Sequence, residues 1–180
     1  PRALGRGVRC GGPGGGACAA GSGGMGRGAR LGRAGQLGVG RRSLLVRWSK
    51  SFRVNASVPE LELNLVLAGE GRPLDALLVV EANLALPGGV ADGTVAGLPL
   101  DKPAELGSRS EVALRQPQAD VEYRLQVPKG GRVWYYPIET VNNSESGYER
   151  IVQGACLLAV HPVHVGAAPI KLRFRLRAIS

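Results

Sequence analysis

The sequence of 180 residues has a formal net charge of +9, but this charge is unevenly distributed. The first 53 residues contain 11 Lys and Arg and no acidic residue, whereas the remainder contains 12 basic and 14 acidic residues and nets −2. Apolar runs stay below the roughly 18 residues that a membrane-spanning helix needs, and the basic start lacks the apolar core of a signal peptide. Composition therefore argues against a membrane partner and against a secreted protein.

Residues 1–42 have the composition of a disordered leader. Sixteen of the 28 glycines lie among residues 1–40, where no aromatic side chain offsets the entropy of ordering. An Arg/Gly tail that binds nucleic acid is one interpretation, but single-strand binders combine charge with aromatic stacking, so nucleic acid is a disfavoured partner. A linker, or a GC-rich gene translated out of frame, is the alternative. We predict a disordered leader over 1–42 and a folded domain over 43–180.

From residue 43 onward, apolar and polar side chains alternate with a period of two, which predicts strands with one buried face. The alternating runs cover Leu44–Val54, Leu61–Leu67, Leu78–Leu86, Val121–Val127 and Ile170–Leu176. No segment has a sustained helical period. About six to eight half-buried strands joined by short turns predict an all-β fold, an antiparallel β-sandwich.

Glycine and proline mark the turns between these runs. Pro128–Gly131 separates two alternating runs and predicts a β-hairpin, and Pro87–Gly89 predicts another turn. The row of Lys and Arg on the last run is interpreted as the solvent-exposed face of a strand, with a ligand surface as the alternative.

Motifs for catalysis or cofactor binding are absent from the sequence. It has no Gly-x-Ser-x-Gly turn and no phosphate-binding loop. Cys10 and Cys18 lack zinc spacing, and Cys156, His161 and His164 do not make a clear set of the roughly four ligands that zinc needs. Three cysteines also give no disulfide framework and favour a reducing, cytoplasmic compartment. We therefore predict no catalytic residue, metal or cofactor on this chain.

One segment, Val133–Arg150, concentrates aromatic rings and planar polar groups. It holds three of the four tyrosines and one of the two tryptophans. Rings pack against pyranose faces while Asn, Glu and Arg bind hydroxyls, so the segment predicts a carbohydrate-binding surface. Its carboxylates also leave glycoside cleavage open. The alternative is structural, with core aromatics, a loop held by side-chain-to-backbone hydrogen bonds, and a plain Glu149–Arg150 ion pair.

The run Tyr136–Gly154, which begins inside this segment and continues past its end, carries a long motif. It resembles the signature Pro-Ile-Glu-Thr-Val-x-x-Ser-Glu-x-Gly-(Phe/Tyr)-Glu-Arg-x-x-Gln-Gly near the C-terminus of α-amylase/4-α-glucanotransferases of glycoside hydrolase family 57. The run Val79–Leu86 also resembles the Val-Glu-x-Asn-Leu strand of that family. The resemblance extends from about residue 44 to the end of the sequence and is weakest over residues 88–118.

The resemblance implies a C-terminal sandwich of the galactose-mutarotase-like kind, which follows an N-terminal catalytic barrel in the same parent chain. The family's catalytic residues belong to that barrel, so no residue here inherits a catalytic role. The family sandwich is longer, so we expect a truncated supersandwich. The implied function is to brace the barrel and to help bind an α-glucan or maltooligosaccharide. The implied carbohydrate-binding or interdomain residues are Trp134, Tyr135, Tyr136, Glu139, Asn142, Glu145, Tyr148, Glu149 and Arg150.

Two other functions stay open on the sequence alone. One is a basic structural or nucleic-acid-associated β protein that acts through its leader. The other makes Glu145 and Glu149 hydrolyse glycosides themselves.

Overall fold

The computed structural model describes residues 9–10, 16–23, 26–39, 42–55, 57–86, 90, 92–145 and 147–180. The described strands are β1 Arg9–Cys10, β2 Gly16–Gly23, β3 Gly26–Val39, β4 Arg42–Asn55, β5 Glu60–Glu70, β6 Leu74–Ala85, β7 Thr94–Val95, β8 Leu98–Pro99, β9 Ala104–Gly107, β10 Glu111–Gln116, β11 Val121–Gln126, β12 Arg132–Ser144, β13 Gly147–Val165 and β14 Ile170–Ile179. The helical structure among the described residues is a single 3-10 turn, Pro117–Ala119. The described part of the chain contains no helix that is long and apolar enough to cross a bilayer.

The alternating runs of the sequence become β4, β5, β6, β11 and β14, with the predicted apolar side chains on the inner face. Leu65 and Leu67 are only 3% and 8% exposed, for example, and Phe174 is 3% exposed. The strand count was underestimated for two reasons: β1, β2 and β3 lie in the segment predicted to be disordered, and β7, β8 and β9 contain only two to four residues each and are too short to show a period. The predicted all-β, antiparallel fold is confirmed.

The first of two compact units comprises Pro1–Ala76 and Pro162–Arg177. Its strands lie in the order β1-β2-β3-β4-β5-β14, with antiparallel pairing. Gly69 allows a close approach here, because a Cβ at this position would lie 2.9 Å from a Leu44 methyl group. The apolar face of the unit therefore packs tightly at this end of β5.

Three described segments of the predicted leader, β1, β2 and β3, are strands. β3 pairs with β4 at fourteen positions, from Gly26 opposite Asn55 to Val39 opposite Arg42. The structure thus corrects the prediction of disorder for residues 16–23 and 26–39; the other leader residues, apart from Arg9, Cys10 and Arg42, lie outside the described part. The physical reason is that backbone hydrogen bonds to a neighbouring strand specify β3, whereas its side chains bury little. The boundary at residue 43 stays a prediction.

The second unit comprises Leu77–His161 and Ala178–Ser180. It contains strands in the order β11-β10-β7-β8 and strands in the order β6-β13-β12-β9, which belong to two different sheets. Its buried apolar residues come from both sheets and include Val95, Val112, Leu114, Val133, Tyr135 and Leu157. Inward-facing residues from two antiparallel sheets are the core of a β-sandwich.

The Pro128–Gly131 segment is not the turn of a hairpin. It connects β11 and β12, which belong to different sheets and do not pair with each other. The turn lies where the sequence predicts it. Whether the two flanking strands pair depends on the direction in which the chain leaves the turn, and the alternation of apolar and polar residues carries no information about that direction. The other predicted turn, at residues 87–89, lies outside the described residues.

Candidate functional site

Eight of the nine predicted site residues lie on β12 and β13, and Glu145 lies in the turn between them. The two strands pair from Arg132 opposite Val160 to Ser144 opposite Gly147. A β-bulge interrupts the register between Ile138 and Glu139. The hairpin therefore has a basal part inside the sheet and an outer part, residues 139–152, which we call the hairpin arm.

The basal part buries one of the predicted aromatic platforms. Tyr135 is 0% exposed, and its hydroxyl donates a 2.5 Å hydrogen bond to the carbonyl oxygen of Leu100. Burial, followed by the charges of Asp101 and Glu139, raises the pKa of Tyr135 to about 12. Tyr135 is thus a protonated core residue that offers no ring face to a ligand.

The neighbouring aromatic residues point to the other side of the sheet. Trp134 is half-buried, and its Nε1 atom is buried without a hydrogen-bond partner among the described residues. Tyr136 is 43% exposed and lies opposite Cys156. Burial, and then the charge of Glu81, raises the pKa of the Cys156 thiol. An accessible tyrosine ring and a half-buried indole are therefore the aromatic groups that this face presents.

An ion pair spans the arm next to the bulge. Arg150 donates hydrogen bonds from Nε, at 3.0 Å, and from a terminal nitrogen to Glu139 Oε2. The Glu139 side chain is 22% exposed and that of Arg150 is 71% exposed. The sequence alternative paired Arg150 with the adjacent Glu149, but adjacent residues of a strand point to opposite faces, and Glu139 lies across the hairpin. The pair links the two strands at the root of the arm.

Beyond this pair both strands of the arm are exposed. Asn142 lies opposite Glu149, and Tyr148 follows in the register opposite Asn143. Tyr148 is 84% exposed and Val141 is 63% exposed. Glu145 and Glu149 are also exposed. The arm therefore presents both apolar and polar side chains of the signature to the outside.

Sequence reasoning missed residues that the fold brings close to this site. The Asn83 amide donates a 2.6 Å hydrogen bond to Glu81 on β6, the strand that neighbours β13. Gly154 lies so close to β6 that a Cβ there would be 2.7 Å from the Leu84 carbonyl oxygen. A glycine inside a strand pattern indicates a bulge or a close backbone approach, and this signal was available in the signature.

Other described features do not coincide with the hairpin. A cavity of about 290 Å³ is lined by residues of β10, β11 and the 3-10 turn together with Ile179 and Ser180. In this cavity Glu122 accepts hydrogen bonds from Arg124 and Arg115, which lower the pKa of its carboxyl group. Among the described residues, no group of three or more His, Cys, Asp or Glu could hold a metal ion.

The strands and the hairpin define the class of this protein as an antiparallel β-sandwich domain with an exposed hairpin arm. A family model described as "Alpha-amylase/4-alpha-glucanotransferase, C-terminal" matches residues 25–176. The chain belongs to this family. The match confirms the resemblance carried by the signature, and it begins inside the segment that the sequence assigned to the leader.

Relatives of known function are much longer than this chain. A 4-alpha-glucanotransferase of Thermococcus litoralis is 29% identical over 92 residues, which cover 51% of this chain and 12% of that protein. An alpha-amylase of Pyrococcus horikoshii is 28% identical over 146 residues, which cover 81% of this chain and 20% of that protein. The chain thus spans about a fifth or less of the length of these relatives.

A solved structure shares the fold. The crystal structure of the 4-alpha-glucanotransferase from Thermococcus litoralis superposes with a TM-score of 0.68 and 22% sequence identity. The superposition covers 89% of this chain and 22% of that chain. At this identity the likeness shows the fold alone.

Proposed function

We propose that this chain is the non-catalytic C-terminal sandwich of an α-glucan-processing enzyme of the α-amylase/4-α-glucanotransferase type. In this proposal it braces the catalytic barrel of the same parent chain and contributes to glucan binding. The named relatives support it, since the chain corresponds to 12% and 20% of their lengths. Membership of glycoside hydrolase family 57 is part of the proposal. So is a cytoplasmic location, which the free thiol of Cys156 supports.

The exposed hairpin arm is the observation that carries the bracing role. Val141, Tyr148 and Ile151 are 63%, 84% and 37% exposed, although all three are large and apolar or aromatic. Exposed groups of such side chains on folded proteins commonly mark an interaction site. A two-stranded hairpin is also marginal in water without further packing. A second domain that covers the arm would satisfy both conditions.

The carboxylates of the hairpin support a non-catalytic role. Glycoside cleavage needs one carboxylic acid that keeps its proton and a second, ionised carboxylate at a set distance. Glu139 Oε2 accepts two hydrogen bonds from Arg150 and is therefore already engaged within the hairpin. Glu145 and Glu149 are exposed on the arm and do not line the described cavity. We therefore assign none of the three to catalysis.

Two tyrosines are the sugar-binding candidates that remain accessible. Tyr136 is 43% exposed at the base of the hairpin, and Tyr148 is 84% exposed near its tip. Asn142 and Glu149 lie opposite each other in the register, on the face that alternation along β12 gives to Tyr136, and supply an amide and a carboxylate for hydroxyl groups there, whereas Tyr148 points to the other face. We propose that these groups contact a maltooligosaccharide at the edge of the enzyme's binding groove.

The bracing role is tested in the parent enzyme with the double substitution Val141→Ser and Tyr148→Ser. We expect a loss of about 1–3 kcal/mol of stability, because two buried contacts with the barrel are lost. Leu98→Ser is the matched control, since Leu98 is 45% exposed on a different sheet. An unchanged melting temperature of the double variant, or an equal drop in the control, would contradict bracing by the arm.

The glucan-binding role is tested by calorimetric titration of the folded chain with maltoheptaose. Tyr148→Ala and Tyr136→Ala should each weaken binding about tenfold, whereas Tyr148→Phe, which keeps the ring, should bind as the wild type does. Absence of binding by the wild-type chain would remove the glucan-binding role and leave the bracing role standing.

A further inference from the structure

Charge is divided unequally between the two compact units. The first unit contains 16 Lys and Arg against 4 acidic residues, whereas the second contains 7 against 10. The surplus of positive charge therefore belongs to the first unit, and part of it lies on described strands.

One face of the first unit's sheet carries seven of these cations. The register places Arg30, Ser51, Asn64 and Arg173 in one row across β3, β4, β5 and β14, and the alternate residues of each strand share that face. The cations of this basic face are Arg30, Arg47, Arg53, Lys171, Arg173, Arg175 and Arg177. Its carboxylates are Glu60, Glu62 and Glu70, so the face has four more cations than anions.

The carboxylates are already shared among some of the arginines. Arg175 Nε lies 3.2 Å from Glu62 Oε2, and Arg173 Nε lies 3.9 Å from the same oxygen. Arg177 is 3.0 Å from Glu60. Hydrogen bonding from Asn64, and then contact with Arg175 and Arg173, lowers the pKa of Glu62. Three carboxylates against seven cations neutralise only part of the charge of the face.

Three cations of the face have no such neutralising partner. Arg30, Arg53 and Lys171 are exposed, and within the described part of the chain none of them forms an ion pair. Even the paired guanidinium groups stay accessible, since the side chain of Arg173 is 61% exposed and that of Arg177 is 52% exposed. A guanidinium has five N–H donors and binds a second carboxylate alongside the first.

The residues that lie between these cations have small or short side chains. Gly32, Ser49 and Val66 lie opposite one another in the row next to that of Arg30, and each is half-buried. Ser51 lies between Arg30 and Asn64. Small residues here let an extended chain approach the sheet while the longer cationic side chains flank it.

We propose that the basic face binds a linear acidic polypeptide segment of another molecule. Lys171, Arg173 and the two following basic positions of β14 repeat every second residue, at about 6.6–6.8 Å. Alternate side chains of an extended peptide repeat at the same interval, so successive carboxylates meet successive cations. Six of the seven cations are arginines, whose planar fork matches a carboxylate.

The composition of the face favours a peptide over single-stranded nucleic acid. Proteins that bind single strands combine a basic groove with aromatic rings on which bases stack. The residue types that the register places on this face are Gly, Ala, Ser, Asn, Gln, Val, Leu, Glu, Lys and Arg, none of which is aromatic. The tryptophan and phenylalanine of β4, Trp48 and Phe52, alternate to the opposite face.

The proposal is tested by titrating the full chain with a fluorescent oligoglutamate peptide at several salt concentrations. The triple variant Arg30→Gln, Arg53→Gln and Lys171→Gln breaks none of the described ion pairs. It should weaken binding about tenfold or more, because each exposed charge contributes about two- to fivefold. The control Arg72→Gln, Lys102→Gln and Lys129→Gln removes the same charge from exposed positions off this face and should bind as the wild type does.

Binding that falls with salt and depends on the first triple variant supports the proposal. Equal losses in both triple variants would mean that net charge alone attracts the peptide, and would overturn it. Tighter binding of oligodeoxythymidine than of oligoglutamate would assign the face to nucleic acid instead, and absence of peptide binding would reject the site. Arg53→Gln alone, expected to weaken binding about two- to fivefold, repeats the test should the triple variant lose its fold.

Discussion

The hydroxyl group of Tyr135 and the carbonyl oxygen of Leu100 form a 2.5 Å hydrogen bond between the two sheets of the second unit. Tyr135 belongs to β12, and Leu100 directly follows β8 in the other sheet. Both residues are buried, at 0% and 1% exposure. The aromatic residue at the centre of the predicted sugar surface is therefore a link that holds the sandwich together.

Tyr135→Phe should destabilise the chain by about 1–3 kcal/mol, because it leaves a buried carbonyl oxygen without its donor. Urea denaturation followed by tryptophan fluorescence measures the change. Tyr148→Phe is the control, because Tyr148 is 84% exposed and its hydroxyl lies at the surface. Equal stability of Tyr135→Phe and the wild type would show that the bond contributes nothing net.

Gly154→Ala tests why the signature ends on glycine. The added Cβ would lie 2.7 Å from the Leu84 carbonyl oxygen and 3.2 Å from Ile138, so β6 or β13 must shift. We expect a loss of about 1–3 kcal/mol in the free energy of unfolding. Gly35→Ala has no atom within 4 Å of the new Cβ and should be neutral or slightly stabilising. A neutral Gly154→Ala would mean that the two strands have room to separate.

Much of the fold was predictable because burial on one face leaves a period of two in the sequence. Leu61–Leu67 and Ile170–Leu176 show this period, and they pair as β5 and β14 with Leu67 opposite Ile170. The pairing partner itself was not predictable. β11 and β12 are joined by a turn and yet belong to different sheets, because strand order depends on contacts distant in sequence.

The site was predictable in position but not in detail. The signature located the hairpin, yet the sequence treated Tyr135 and Tyr136 alike. Their alternation along β12 buries one completely and leaves the other 43% exposed. The partner of Arg150 was also missed, because Glu139 is eleven residues away in sequence and becomes a neighbour only across the hairpin.

His161 should make stability depend on pH. It is 3% exposed, and burial lowers its pKa below the ordinary value of 6.5. Below pH 6.5 the imidazole of the unfolded chain takes up a proton, whereas that of the folded chain stays neutral down to its lower pKa. The contribution of neutral His161 to the free energy of unfolding is therefore complete above pH 6.5 and is lost as the pH falls through the folded-state pKa. The slope should reach at most about 1.4 kcal/mol per pH unit.

Urea denaturation of the wild type between neutral and mildly acidic pH measures this slope. His161→Gln should lose it, whereas His164→Gln should keep it, because the His164 side chain is 68% exposed. A wild-type slope retained in His161→Gln would assign the pH dependence to another group.

Removal of residues 1–40 tests whether the Gly/Arg-rich strands are part of the fold. β3 pairs with β4 at fourteen positions, so its deletion leaves the backbone N–H and C=O groups along one edge of β4 without partners. An unpaired edge of this kind recruits another copy of the same edge. We expect the truncated chain to self-associate in sedimentation analysis and to melt roughly 5–10 °C lower, for a loss of about 2–3 kcal/mol.

Deletion of residues 1–8 is the control for this truncation, since it retains every strand of the described part of the chain. It should leave both the melting temperature and the monomeric state unchanged. A disordered leader would make the two deletions equivalent, because neither would remove a hydrogen-bonded strand. A difference between them would instead mean that backbone pairing orders β3 despite its glycine content. A strand can thus belong to a sheet through its neighbour's hydrogen bonds while its own side chains carry no alternation.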